Sequence, residues 1–178
     1  KLYVGEPRTL EAVAQSLRDF GQLSGHDKQG DIEAERFMAR LVELKETYGQ
    51  QPVVDVYYQI WNEPMMTMND KHLISDVIRL CGGHNVFADA LPLVPRISVE
   101  SVVRANPEVI VASGMGQARP EWLDDWRDWT AINAVHNEQL YFIPPELLQR
   151  HTPRIIQGAE QMCTFLEQAR DRRALANH

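Results

Sequence analysis

The stretch VVDVYYQIW (residues 53–61) decides which fold the sequence predicts. Its residues are β-branched, aromatic and apolar, and the run is too short for a buried helix, so it is typical of a strand covered on both faces. The breaker GQQP (49–52) precedes it and ends a long helical pattern. A new structural unit therefore begins near residue 51.

Two further apolar runs, EVIVASG (108–114) and QLYFIP (139–144), are also typical of buried strands. Helical patterns separate the strands at about 71–81, 98–107 and 120–129, the last with Pro120 at its first position. A final helix is predicted with Thr152 as its N-cap and Pro153 at its first position. Strands alternating with helices predict an α/β fold: a three-layer, Rossmann-like unit around a mostly parallel sheet.

The first fifty residues are predicted to be mainly helical. In RTLEAVAQSLRDFGQLSG (8–25), Thr9 is the expected N-cap, and Gly21 and Gly25 offer two stops. From Asp27 to Tyr48 a second helix, about 30 Å long, is expected to act as a rigid strut. KLYVGEP (1–7) is typical of a short strand that runs into a turn.

Composition excludes two classes of protein. The chain has 178 residues and a formal net charge of -7, and its Lys and Arg residues are scattered, unlike the basic patch of a nucleic-acid binder. No apolar run reaches the roughly 20 residues that a membrane-spanning helix needs. The chain begins at Lys1 with no leader pattern before it, which favours a processed form or a fragment.

Two cysteines, Cys81 and Cys163, lie in apolar helical contexts. In a cytosolic chain such thiols are usually inert core residues, whereas in an exported chain two cysteines usually pair. The residues themselves leave both alternatives open.

Ligands of open α/β sheets bind beyond the carboxyl ends of the strands. After the first strand comes EPMMTMND (63–70), which contains Met65, Met66 and Met68. Thioethers bind Cu(I), fill cores and line adaptable pockets, so a copper site with His72, a core segment and a flexible pocket wall are all alternatives. The position after a strand favours the pocket wall.

The segments after the other two strands carry weaker signals. SGMG (113–116) lacks the third glycine and the lysine of a nucleotide loop and is better explained as a tight turn. In ELLQRHTPR (146–154), Glu146 and Arg150 are candidates for contacting a polar ligand, while His151 and Arg154 are more typical of a solvated surface. No catalytic constellation is recognisable, so an α/β enzyme is the weakest alternative.

Three motifs carry a family resemblance: LCGGHNVFAD (80–89), ISVESVVRANPEVIV (97–111) and RHTPRI (150–155). With the sequence around them, they resemble the C-terminal lobe of periplasmic cobalamin-binding proteins of ABC importers, in the helical-backbone class (class III) of substrate-binding proteins. That class also takes up iron siderophores and haem. The resemblance implies that residues 1–25 end an N-terminal lobe, 26–50 form the interlobe backbone helix and 51–178 form the C-terminal ligand-binding lobe, with most of the N-terminal lobe missing.

The resemblance also implies roles for individual residues. It places a ligand surface at Trp61, Met65, Met66, Val94, Glu146 and Arg150. Met66 stands where relatives have an aromatic residue, Val94 where one has a tryptophan, and Glu146 where they have an aspartate. It further implies a disulfide between Cys81 and Cys163, and a contact between Glu100 and arginines of the membrane permease.

The implied function is the binding of cobalamin (vitamin B12) in the periplasm and its delivery to an ABC importer permease, without catalysis, cofactor or structural metal. An iron-siderophore or haem binding protein of the same fold is the alternative. The protein is expected to be exported, with its signal peptide not present in this chain. A bare strand at residues 2–4 also predicts pairing between chains, and so a dimer through the truncated N-terminal segment.

Overall fold

A parallel four-stranded sheet forms the centre of the computed structural model, which describes residues 7–114, 116 and 118–176. Its strands are β1 (Val54–Gln59), β4 (Gly83–Asn85), β5 (Val109–Ala112) and β6 (Leu140–Phe142), in the order β4-β1-β5-β6. A separate antiparallel hairpin follows β1 and consists of β2 (Trp61–Asn62) and β3 (Met65–Met66).

Helices alternate with these strands, which confirms the predicted α/β class. They are α1 (Leu10–Ser24), α2 (Asp27–Tyr48), α3 (Leu73–Leu80), α4 (Val99–Ala105), α5 (Asn133–His136), α6 (Pro145–Leu148) and α7 (Ile155–Ala176). A 3-10 helix, Glu121–Asp128, lies between β5 and α5. No helix in the described ranges is long and apolar enough to cross a membrane.

Two hydrophobic cores lie on opposite faces of the sheet, because side chains alternate along each strand. On β1, Val56 and Tyr58 belong to the core that α1, α2, α3 and α7 cover, whereas Tyr57 belongs to the core under α4 and the 3-10 helix. On β5 the same alternation places Val111 in the first of these cores and Ile110 in the second. The fold therefore has the three layers that the strand pattern predicts.

Two helix starts differ from the prediction. The segment after Pro120 forms a 3-10 helix and not an α-helix; three residues per turn keep the buried pair Leu123 and Trp126 on one side. The Thr152 hydroxyl is buried without a hydrogen-bond partner, and α7 begins only at Ile155. The predicted cap at Thr152 was wrong because the Thr152 carbonyl, and not its hydroxyl, accepts the N–H of Ile155.

The first helix begins and ends as predicted, but one of its glycines has another role. Thr9 caps α1 by accepting from the N–H of Ala12, and Gly25 ends it in the left-handed conformation at φ 72°. Gly21 does not stop the helix. A Cβ there would lie 2.9 Å from the Cα of Gly30, so both glycines allow α1 and α2 to pack closely.

A disulfide between Cys81 and Cys163 ties the end of α3 to the middle of α7. This is the pair that the resemblance implies. The predicted strand at residues 2–4, and with it the predicted pairing between chains, lies outside the described residues.

Candidate functional site

The carboxyl ends of three neighbouring strands meet at one edge of the sheet. Gln59, the last residue of β1, is in register with Ala112 at the end of β5, and Ala112 with Phe142 at the end of β6. The segments that follow these strands therefore leave the same edge, as expected for a ligand site of an open α/β sheet.

Gln59 anchors this edge. It is fully buried, its Oε1 accepts from Nε1 of Trp126 at 2.7 Å, and its Nε2 donates to Oδ1 of Asn62 at 3.1 Å. One amide thus joins the end of β1, the 3-10 helix and the β2–β3 hairpin. A buried polar group is stable only when its hydrogen bonds are made, so the three elements are held in one arrangement.

The β2–β3 hairpin presents three of the predicted ligand residues. Trp61 pairs with Met66 and Asn62 with Met65, and Nε1 of Trp61 donates to the carbonyl of Glu63 at 2.8 Å within the turn. Trp61, Met65 and Met66 are half-buried, so each keeps a face open to solvent. The hairpin is therefore a locally fixed, partly apolar surface at the edge of the sheet.

A second segment, residues 86–97, runs beside the methionines and brings Val94 to the same surface. The N–H of Ile97 donates to the carbonyl of Met65 at 3.1 Å, and the N–H of Asn69 to the carbonyl of Leu93 at 3.0 Å. Val94 lies between these two contacts and is 39% exposed. The structure thus brings together residues about thirty positions apart in the sequence.

Met68 does not belong to this surface. It is 1% exposed and packs in the core under α3, while the amide of Asn85 donates to its carbonyl at 2.8 Å. The interpretation of this segment as a pocket wall therefore fails for Met68, since its side chain points into the protein.

The same burial takes Met68 out of the set of copper ligands that the sequence offered. Another member of that set, His72, uses its Nδ1 to accept the N–H of Ile74 at 3.2 Å as the N-cap of α3. Within the described ranges no three His, Cys, Asp or Glu side chains gather so that they could hold a metal ion.

The segment after β6 places Glu146 at the edge. Glu146 lies in the first turn of α6 and is half-buried, whereas Arg150, just beyond that helix, is exposed. Nε2 of Gln149 donates to the carbonyl of Gly114 at 3.2 Å, and the hydroxyl of Ser113 to the carbonyl of Ile143 at 3.1 Å. These bonds tie the loops after β5 and β6 to each other.

Glu100 occupies the first turn of α4, next to the same edge. Ser98 caps this helix as predicted, and a hydrogen bond from the Ser98 side chain, followed by a backbone N–H, lowers the pKa of the Glu100 carboxyl. Glu100 is exposed. It is therefore an ionised surface group that follows shortly after Ile97, which contacts Met65.

The predicted ligand residues form an open surface and do not line the largest cavity described. That cavity, of about 400 Å³, lies between α1, α2 and α3 and includes Leu10, Met38 and Leu41 in its wall. None of the predicted ligand residues lines it.

Sequence reasoning missed the buried polar groups that hold this edge together. Gln59, Thr67 and Asn85 are all fully or almost fully buried, and the hydroxyl of Thr67 donates to the carbonyl of Tyr58 at 2.7 Å. One signal was available for Gln59: an amide at the end of an otherwise apolar strand needs a buried partner. Its partner, Trp126, lies 67 positions away and has no local signal.

Sequence comparison relates the chain to known proteins. The sequence pattern of a family described as "Periplasmic binding protein" matches residues 2–147. A curated relative, the vitamin B12-binding protein of Vibrio cholerae, is 32% identical over 167 residues, which cover 93% of this chain and 59% of the relative. The chain thus spans less than two thirds of the length of this relative.

Solved structures share the fold. The crystal structure of the periplasmic vitamin B12 binding protein of Vibrio cholerae is 31% identical and superposes with a TM-score of 0.85, covering 94% of this chain and 65% of that one. The periplasmic haem binding protein of the same organism reaches a TM-score of 0.80 at 16% identity, over 92% of this chain and 66% of that one. At that lower identity the likeness concerns the fold alone.

Proposed function

This chain belongs to the periplasmic binding protein family, and from that premise we propose that it is part of the substrate-binding component of an ABC importer that binds cobalamin. The observation that carries the proposal is the relationship to vitamin B12-binding proteins, at 32% sequence identity and a TM-score of 0.85. The ligand surface consists of Trp61, Met65, Met66, Val94, Glu146 and Arg150.

The chemistry of this surface supports a large organic ligand with polar substituents. Trp61 and the two half-buried methionines offer apolar, polarizable area, which adapts to a rigid ring. Glu146 accepts hydrogen bonds at the opposite end of the surface, and Arg150 donates them. Met66 and Val94 are smaller than the aromatic side chains that relatives have at these positions. We therefore infer that they leave more space at the surface, and that the bound ligand occupies this space.

The division of the chain follows from the same proposal. Residues 51–178 are the C-terminal ligand-binding lobe, 26–50 are the interlobe backbone helix and 1–25 end the N-terminal lobe. In this arrangement the ligand is held between two lobes, and the open surface described above is one wall. A helix resists bending more than a loop hinge does, so we expect little movement between lobes on binding.

Delivery of the ligand requires a partner at the membrane. We infer that the protein works in the periplasm, performs no chemistry on its ligand, and docks on the permease through Glu100, whose carboxylate is exposed and ionised. Complementary charge on a permease arginine would orient the encounter.

Isothermal titration calorimetry tests the ligand. Cyanocobalamin, haem and a ferric hydroxamate siderophore are each titrated into the complete protein. We expect saturable binding of cyanocobalamin, and of haem or siderophore only far more weakly. Heat from haem or the siderophore with none from any corrinoid would overturn the assignment of cobalamin and support the alternative ligand.

A pair of variants tests the surface. Met66→Ala removes a half-buried side chain from the hairpin, whereas Val42→Ala removes an exposed one, 49% accessible, from α2. We expect Met66→Ala to weaken cobalamin binding about tenfold, a change of about 1.4 kcal/mol, while Val42→Ala leaves it unchanged. Equal affinities of the two variants for cobalamin would show that Met66 is not part of the ligand surface.

A further inference from the structure

A small basic cavity lies beside the proposed ligand surface, and none of the predicted ligand residues lines it. Four of its lining residues carry basic side chains: Arg8 before α1, Lys71 and His72 before α3, and His151 after α6. The remaining walls are apolar, and no acidic residue lines it. Elements from three distant parts of the chain thus present basic groups to one space.

The size of this cavity suits a small group. Its volume is about 60 Å³, and on this measure a water molecule needs roughly 10–15 Å³. A group of a few heavy atoms therefore fits, whereas a second ring system does not.

Two carboxylates close in sequence to Lys71 and His72 are engaged with other groups. Asp70 and Asp76 both pair with Arg79, and the second oxygen of Asp76 accepts the N–H of Leu10 at 2.9 Å. Among the described residues, neither Arg8 nor Lys71 forms an ion pair. In a chain with a net charge of -7, such a cluster is a local exception.

The hydrogen bond of His72 sets which of its ring atoms is free. Since Nδ1 accepts the N–H of Ile74, the neutral ring carries its proton on Nε2, which is then a donor. The ring of His151 lies across from it, with a distance of 6.3 Å between ring centroids. Both rings line the cavity.

We propose that this basic cavity binds an oxyanion of the phosphate class, with Arg8 and Lys71 supplying charge and the rings of His72 and His151 supplying hydrogen bonds. Phosphate oxygens accept several charge-assisted hydrogen bonds at once, which matches this set of donors. Binding would also relieve the repulsion among the basic groups.

The oxyanion has two possible sources, free inorganic phosphate and the phosphodiester of a bound cobalamin. The second source rests on the proposed function. It is sterically reasonable because Leu93, which lines the cavity, precedes Val94 of the ligand surface and accepts the N–H of Asn69. An anionic substituent of a ligand on that surface would lie next to the cavity.

A titration of inorganic phosphate tests the proposal directly. Phosphate is added to the complete protein at pH 7.5 and constant ionic strength, and amide and histidine ring resonances are followed by NMR. We expect saturable shifts centred on Lys71, His72 and His151. In Lys71→Gln and Arg8→Gln the apparent dissociation constant should rise at least fivefold, whereas Lys28→Gln, an exposed position on α2, should leave it unchanged. Shifts that do not saturate, or an equal effect of Lys71→Gln and Lys28→Gln, would overturn the proposal.

A second titration separates the two sources. Cyanocobalamin contains the phosphodiester and dicyanocobinamide lacks it. If the ligand supplies the oxyanion, Lys71→Gln weakens binding of cyanocobalamin more than that of dicyanocobinamide; if free phosphate occupies the cavity, the variant affects neither. Should no corrinoid bind at all, the proposed function fails, while the phosphate titration still decides whether the cavity binds an oxyanion.

Discussion

Nε1 of Trp126 donates a hydrogen bond of 2.7 Å to Oε1 of Gln59, and both side chains are buried. The bond joins the 3-10 helix to the last residue of β1, from which the hairpin with Trp61 and Met66 departs. The shape of the proposed ligand surface therefore depends on a contact in the layer beneath it.

Replacing Trp126 by Phe should destabilise the protein. The substitution leaves Oε1 of Gln59 buried without a donor, which costs about 1–3 kcal/mol. Urea unfolding measures the loss. The control is Trp129→Phe, since Trp129 is 42% exposed, and a surface change of this kind is usually worth less than about 0.5 kcal/mol. Equal unfolding free energies for the two variants would show that the Gln59 contact is not important for stability.

Gly21→Ala should also destabilise, although alanine is the better helix former. Its Cβ would lie 2.9 Å from the Cα of Gly30, so α1 and α2 would have to move apart. Overpacking costs about 1–3 kcal/mol and the gain in helix propensity is about 1 kcal/mol, so a net loss is expected in urea unfolding. Gln22→Ala, at the exposed neighbouring position, should be neutral or slightly stabilising; a stabilised Gly21→Ala would contradict the close packing.

Reduction of the disulfide should lower stability substantially. Cys81 and Cys163 are 82 positions apart, and closing a loop of this length is worth about 4 kcal/mol in the chain-entropy model. Thermal unfolding with and without reductant measures the difference. In the double variant Cys81→Ala/Cys163→Ala the reductant should have no effect, and a melting temperature of the oxidised wild type equal to that of the variant would exclude a stabilising bridge.

The N-cap of α3 should make stability depend on pH. Burial, and then the neighbouring His151, lower the pKa of His72 below 6.5. The neutral ring is the form that accepts the N–H of Ile74. The unfolded chain therefore binds this proton first as the pH falls. The contribution of His72 to stability is complete above pH 6.5 and is lost as the pH falls through the lowered pKa of the folded state.

Two substitutions isolate this effect in urea unfolding at a series of pH values, in buffers without phosphate. His72→Asn keeps a good capping side chain that does not titrate, so its stability should vary less with pH than that of the wild type. Above pH 6.5 the unfolding free energy of His72→Ala should be about 1 kcal/mol lower than that of the wild type, because the variant lacks the capping side chain. Identical pH profiles for the wild type and His72→Asn would show that another group controls the dependence.

Glu100→Arg should separate docking from ligand binding. The side chain is exposed in the first turn of α4 and is not one of the proposed ligand residues, so affinity for cobalamin should not change. Association with the permease, measured by co-sedimentation with membranes that contain the importer, should weaken about tenfold. Glu35→Arg makes the same change of charge at an exposed position on α2; if it weakens association equally, general electrostatics and not docking of Glu100 is responsible.

Local sequence signals predicted the elements well and their contacts poorly. The caps at Thr9 and Ser98 and the apolar runs of β1, β5 and β6 depend on neighbours within a few residues, and the structure has them as expected. At Gly21, the same local reasoning suggested a stop where the structure has a helix crossing. The difference arises because Gly30, which explains Gly21, belongs to another helix.

The candidate site shows the same limit more strongly. A resemblance to known proteins, and not periodicity, selected Met65, Met66, Val94 and Glu146. The sequence alone did not distinguish Met66 from Met68, since both are flexible apolar residues two positions apart in one short segment. Hydrogen bonds of residues 67 and 69 to residues 93–95 set which methionine stays half-buried at the edge and which is enclosed.

The sequence by itself determined the order of the three apolar strands β1, β5 and β6, the helices that alternate with them and the parallel sheet, because these follow from short-range propensity and from the period of apolar residues. Only the tertiary structure decided that Gln59 is held by Trp126, that Met68 is core, and that Arg8, Lys71 and His151 surround one cavity. Each of these depends on residues brought together from distant parts of the chain, and such pairs leave no pattern in the local sequence.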